Sequence, residues 1–321
     1  MMFPLVYTIL LSITGPPWVG AKHEISVNEP FDSSSPLLGT GRWREGPMGT
    51  FARRMGQLAA RSFESESASI LKSGAANKHG LSRLLDATLR EGHDMKTFGL
   101  GTAASLASRE RYARFTLSMH AVYSGMEEAL DTSTSPPVRL VWDRFGDYLR
   151  RSPSLALDLM EVGAAVQTPC STATKVYLDA IRSAAADDDA TGGGRLLGHL
   201  YCRYFADLFG GQALALPTRL ALGLNPTSPR HYDFGDFVKG RRREAIESVY
   251  EVLNEAGESM GPGARGDEVR AAVAYEARRA FACNVGVYAE DGRLYVDTAR
   301  GVCNVIAGWA SSKSKRRESS A

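Results

Sequence analysis

HLYCRYFADLFGGQ, His199 to Gln212, is the stretch on which the reading of this chain turns. Its apolar residues recur at helical spacing, yet it closes on two adjacent glycines, each costing about 1 kcal/mol relative to alanine in a helix interior. Two physical reasons justify that cost. Either the helix kinks, or its backbone must come closer to a flat ligand or a second helix than a side chain would allow. Tyr201, Arg203, Tyr204 and Asp207 stand just before the pair and supply the polar groups that a ligand site needs.

Outward from this stretch the pattern stays helical. Leu81, Leu84, Leu85, Thr88 and Leu89 recur at three- and four-residue steps, as do Phe115, Met119, Val122, Tyr123 and Met126. Pro136-Pro137 ends the second helix, 138–151 resumes the pattern, and Pro153 starts a further turn. A helix over 175–186 is expected to stop at Asp187-Asp188-Asp189 and Gly192-Gly193-Gly194. Helical pattern returns at 196–208, is interrupted at Gly210-Gly211, and continues to Leu222 before Asn225, Pro226 and Pro229 break it. Helices over about 237–257 and 267–289 follow, and the last eleven residues, SSKSKRRESSA, have no apolar face and are expected to be disordered. Almost nothing alternates with the period of a strand, so the fold class is all-α, with one multi-helix domain over 76–292 and a C-terminal extension over 293–321.

With 321 residues, 44% of them hydrophobic, the chain can bury a large core. Its 38 basic and 36 acidic side chains leave a formal charge of +2, which gives no whole-protein field for nucleic acid. Cys170, Cys202, Cys283 and Cys303 are widely spaced, with no C-x-x-C pair, and read as reduced packing thiols. No Glu-x-x-His occurs, which removes a di-iron helical oxidase. Residues 1–21 hold an apolar run too short to span a bilayer and ending in small residues, a signal-peptide pattern. Residues 22–75, rich in Ser, Gly and Arg, have the composition of a transit peptide or disordered leader. Together they resemble the two-part address of a protein sent to a plastid bounded by extra membranes, with mitochondrial or secretory delivery as alternatives; no transmembrane anchor is expected in the mature form.

The whole string from His199 resembles the distal-helix signature of heme oxygenases, in which histidine, tyrosine, arginine and tyrosine lead into Gly-Asp-Leu-Ser-Gly-Gly-Gln. LSRLLDATLREGH (Leu81 to His93) is similar to that family's first helix, SMHAVYSGMEEAL (Ser118 to Leu130) to its segment with a tyrosine before glutamates, and YEARRAFACNVGVY (Tyr275 to Tyr288) to its last core helix. The resemblance implies heme sandwiched between a proximal helix and a kinked distal one, and cleaved to biliverdin, Fe2+ and CO with O2 and electrons from ferredoxin or a reductase. It further implies His93 as axial ligand of the heme iron, and Asp207, Tyr123 and Arg203 as the catalytic groups that order water and protons. Tyr201, Gly210, Gly211, Phe281 and Asn284 would line the heme.

Departures from the family pattern lie beside these residues. Ala206 and Phe209 replace a glycine and a serine around Asp207, and Thr97 stands where a glutamate orients the proximal histidine. Asp86, with Glu247 and Tyr250 as approximate counterparts on the penultimate helix, replaces cations that meet the heme propionates. Like charge there weakens heme binding unless Arg83, Arg90, Lys239 or the run Arg241-Arg242-Arg243 takes over. That run also suits a solvated helix start or a docking face for an acidic donor such as ferredoxin. These changes leave a second reading, a catalytically impaired scaffold or regulatory protein in an organelle.

Overall fold

The computed structural model describes residues 77–92, 95–164, 170–209, 211–290 and 293–318. Among them it forms twelve α-helices and no strand. They are α1 (Gly80–Gly92), α2 (Met95–Ser105), α3 (Arg109–Thr132), α4 (Pro136–Leu149), α5 (Ser152–Glu161) and α6 (Thr172–Thr191). After these come α7 (Arg195–Leu200), α8 (Ala206–Phe209), α9 (Ala215–Leu222), α10 (Arg242–Ser259), α11 (Gly263–Ala289) and α12 (Leu294–Glu318). Between α7 and α8 the chain takes one π-helical turn, Tyr201–Phe205, and Gly211–Leu214 and Arg230–Tyr232 are 3-10 turns.

Local chemistry sets the helix ends. Ser108 and Ser171 cap α3 and α6, each accepting a backbone N–H three residues on. Pro136 and Pro137 open α4, where a missing N–H costs nothing. α6 stops at Gly192, whose φ of 68° suits glycine.

The inner face of α3, with Met119, Val122, Tyr123, Met126 and Leu130, is almost wholly buried, and each such apolar side chain contributes roughly 2 kcal/mol of burial free energy. α11 runs through the centre, packing on α1, α2, α6 and α7, while α10 covers α1 and α4. Thus the elements carrying the signature string, the first helix and the last core helix meet in one place.

The structure corrects the sequence reading in three places. α6 does not end before Asp187; it runs through the aspartates to Thr191. The reason is Asp188, fully buried, whose carboxylate accepts the N–H groups of Arg195 (2.7 Å) and Leu196 (2.9 Å) and so caps α7 from the preceding helix. α10 begins at Arg242 because Gly240, at φ 73°, cannot continue a helix. The C-terminal stretch is not disordered up to Glu318: it prolongs α12, which packs on α2 and α9.

Candidate active site

The π turn decides how the signature string presents its side chains. One extra residue per turn swings Tyr201 toward α1 while Arg203 and Asp207, four apart, stay on one face and pair at 3.0 Å. Tyr123 reaches the same carboxylate from α3. Its hydroxyl donates to Asp207 Oδ2 and accepts from Arg203 Nη2 at 3.1 Å. From α11, Asn284 accepts from Arg203 Nη1 at 3.3 Å and donates to Cys202 Sγ at 3.4 Å. All four side chains are buried. Burial alone disfavours the Arg203 charge, but the Asp207 carboxylate and the phenol oxygens around it raise its pKa well above the ordinary value. Burial also pushes the Tyr123 phenol well up, so it stays a neutral donor.

This cluster keeps spare capacity. Arg203 Nε is buried with no partner, and among the described residues the two donors to Asp207 both use Oδ2. Gly211 makes room for Asp207: a Cβ there would lie 2.9 Å from Asp207 Oδ1 and 3.2 Å from the Tyr232 ring. The glycine is thus required by the side chains packed over it.

Two residues that sequence reasoning passed over complete the surroundings. Tyr288, one turn beyond Asn284, is buried, stacks on Phe115 at 5.0 Å, and lies within hydrogen-bonding reach of Arg203 and Thr102. It also walls a cavity of about 410 Å³ lined by Gly101, Ser105, Arg111 and Arg114. Its spacing of four from Asn284 and seven from Phe281 was the available signal. Tyr232 had none, because it sits in an irregular loop. That loop is fastened to α5 by Asp158, which accepts from Arg230 N and from both His231 N and Nδ1, and by Glu161, which takes Asn225 N, Ser228 and Arg230. These bonds outweigh the desolvation that would raise the Glu161 carboxyl and hold it at about 2.

A second pair fixes the distal helix from behind. His199 Nε2 bonds Glu276 at 3.1 Å, with both side chains buried, and Arg195 and Arg279 approach the same carboxylate. Burial lowers the His199 pKa, so its ring is neutral near pH 7. Gly198 lets α7 touch α11 directly: a Cβ would stand 2.4 Å from the Val273 carbonyl oxygen and 2.6 Å from Ala277 N.

At the other end of the π turn lies an edge cluster. The Tyr201 hydroxyl donates to Asp86, Tyr250 approaches both Asp86 oxygens at 3.5 Å, and Lys78 forms an ion pair with Asp86 while lying 5.5 Å above the Tyr250 ring. The expected repulsion from Asp86 is therefore countered by Lys78, a cation the sequence reading did not consider; Arg83, Lys239, Arg241 and Arg243 are exposed. Glu247 takes no part, and both its carboxylate oxygens are buried without a hydrogen bond.

Of the expected site residues, Tyr123, Arg203, Asp207 and Asn284 come together directly, Tyr201 joins the edge cluster, Gly211 packs against Asp207 from the next turn, and the buried Phe281 shares α11 with Asn284. His93 and Gly210 lie outside the described residues, as do the side chains of Arg90, Thr97, Ala206 and Phe209.

Comparison with known proteins agrees with this geometry. The family model described as heme oxygenase matches residues 93–290. Heme oxygenase 1 of Synechocystis sp. is 26% identical over 194 residues, covering 59% of this chain and 74% of that one. The fold matches the crystal structure of that cyanobacterium's heme oxygenase-1 in complex with heme (TM-score 0.55, 23% identity, 71% of this chain and all of that one). It also matches heme oxygenase-2 of Synechocystis sp. in complex with heme and NO (TM-score 0.56, 24% identity, 69% and 93%). With the family model covering more than half its length, the chain belongs to the heme oxygenase family.

Proposed function

We propose that this chain is a heme oxygenase that opens heme to biliverdin, releasing Fe2+ and CO, with O2 as oxidant and electrons from an external donor. The observation that carries the reading is the buried Tyr123, Arg203 and Asp207 cluster on the turn that leads into Gly211. Heme is substrate here and supplies the redox chemistry through its own iron. The chain supplies geometry and protons. A Tyr123 hydroxyl and an Arg203 guanidinium hold Asp207 Oδ2, leaving Oδ1 and Arg203 Nε to bind water or a substrate oxygen. Such donors are worth most where water is excluded, and every member of this set is buried. We assign His93, which follows α1 in the sequence, as the axial ligand to iron.

Adding hemin to the purified protein and following its Soret band, then supplying ferredoxin and its reductase, tests the activity. Bleaching with growth of a biliverdin absorbance is the expected result, and a stable Soret band under reduction would refute it. His93→Ala is expected to abolish the low-spin ferric spectrum; an unchanged spectrum would remove that assignment. The exposed Arg241 and Arg243 suit an acidic donor such as ferredoxin, so the reduction rate should fall steeply with added salt. The two-part leader in residues 1–75 supports delivery to a plastid for heme catabolism there, which a fluorescent fusion to that leader tests.

A further inference from the structure

α12 is amphipathic the wrong way round. Apart from the buried Val305, and Val302 beside it, its inward side is polar or bare. Asp297 pairs with Arg111 at 3.6 Å, Thr298 donates to the Leu100 carbonyl at 2.9 Å, and Asn304 donates to the carbonyls of Leu106 (2.9 Å) and Ala107 (3.1 Å). Gly301 and Gly308 bring the backbone against its neighbours. A Cβ at Gly301 would fall 1.8 Å from the Ala103 carbonyl oxygen, and one at Gly308 2.2 Å from that of Leu220. These contacts fix the helix's rotation, because a roll in either direction drives a side chain into backbone and strands three hydrogen-bonding groups.

What faces solvent is apolar. Tyr295 is 66% exposed, Val296 58% and Ile306 46%, and Ala299, Cys303, Ala307 and Ala310 are exposed with them. At 100° per residue these seven fall within an arc of about 120°. No acidic residue interrupts it. Exposed Arg293 and Arg300 lie at its margin, and the sequence continues with Lys313, Lys315, Arg316 and Arg317 against a single Glu318. No helix among the described residues is long and apolar enough to cross a membrane.

We propose that the outward face of α12 docks the protein, lying flat, on the surface of a bilayer containing anionic phospholipid. An apolar arc with cations along one margin and a basic run beyond its C-terminal end is the pattern by which a surface helix buries itself at the acyl boundary while its charges meet lipid phosphates. A second copy of the chain fits less well. Two such helices apposed antiparallel would set Arg293 of one against the basic end of the other, and like charges repel. The proposal does not depend on the heme chemistry.

Flotation of the full chain with vesicles tests it. Vesicles of phosphatidylcholine and phosphatidylglycerol in equal parts should bind the protein at least about tenfold more tightly than phosphatidylcholine alone, and added salt should weaken that binding. The double substitution Val296→Ser with Ile306→Ser should cost about tenfold or more in vesicle binding, with the thermal unfolding midpoint unchanged because both side chains are exposed. Equal binding to both vesicles, or none, overturns the proposal. So does binding that survives the substitutions, which would assign it to the apolar run at Met1 to Gly15. A concentration-dependent dimer in sedimentation that the substitutions abolish would give the face to self-association instead.

Discussion

The π turn at Tyr201–Phe205 serves two carboxylates that live in opposite ways. Asp207, at the distal end, is held by an arginine one turn before it and a phenol from α3, and among the described residues both bonds fall on one of its oxygens. Asp86, at the edge, is surrounded by Lys78 and two tyrosines, and its charge is spent on them. The first arrangement retains what proton delivery needs. The second neutralises an acid that stands where the resemblance implied cations for the heme propionates. Under the proposed function, rate should depend on one end of the turn and heme affinity on the other, and substitutions should move them separately.

The sharpest break would come from Asp207→Asn. It is expected to lower the heme cleavage rate on the order of a thousandfold, as for loss of a positioned acid or base, while hemin affinity by Soret titration stays the same. A parallel loss of affinity would mean that the two ends are not separable. Glu276→Ala should be nearly as severe in stability. It leaves the neutral His199 ring buried without its hydrogen-bond partner behind the distal helix, at about 2 kcal/mol, read as a lower urea midpoint. Asp86→Ala should act in the opposite sense, releasing Lys78 and two phenols to meet heme carboxylates. Roughly tenfold tighter hemin binding is expected, with the cleavage rate at saturation unaltered.

Finer still is a pH test of the supports. Burial raises the Asp188 carboxyl to about 6 from 3.8 despite its two backbone hydrogen bonds. The folded chain thus binds this proton more tightly than the unfolded one, and the group's contribution to stability falls as pH rises from 3.8 to about 6. Glu161 runs the other way. Held at about 2 in the folded chain against 4.5, it contributes stability that is fully present above 4.5 and lost as pH falls toward 2. Urea midpoints across this range should lose the first slope in Asp188→Asn and the second in Glu161→Gln.

The fold was readable because helix period and proline punctuation are local signals, and α3, α4 and α11 follow them closely. That Tyr123, Arg203, Asp207 and Asn284 gather could be anticipated only through the resemblance of the strings that hold them. What escaped was pairing across the chain. Glu276 meets His199 from 77 residues away, and Lys78 finds Asp86 only because the chain before α1 folds back over it. Asp188 looked like a stop signal; once buried, the same carboxylate becomes the cap of the next helix. Apolar periodicity misled most at α12, where glycines and polar residues share the inside with a single buried Val305, the glycines because they let backbones touch.

The contact at Gly198 bears on how such a site drifts. With α7 and α11 meeting backbone to backbone there, any side chain at that position would wedge the two helices apart and pull Asn284 away from Arg203. Mutation can therefore exchange groups around the pocket more readily than it can reshape the frame that holds them. A lineage free to swap a lysine for Asp86 or a glycine for Ala206, but not to move these two helices, will vary in grip long before it varies in architecture.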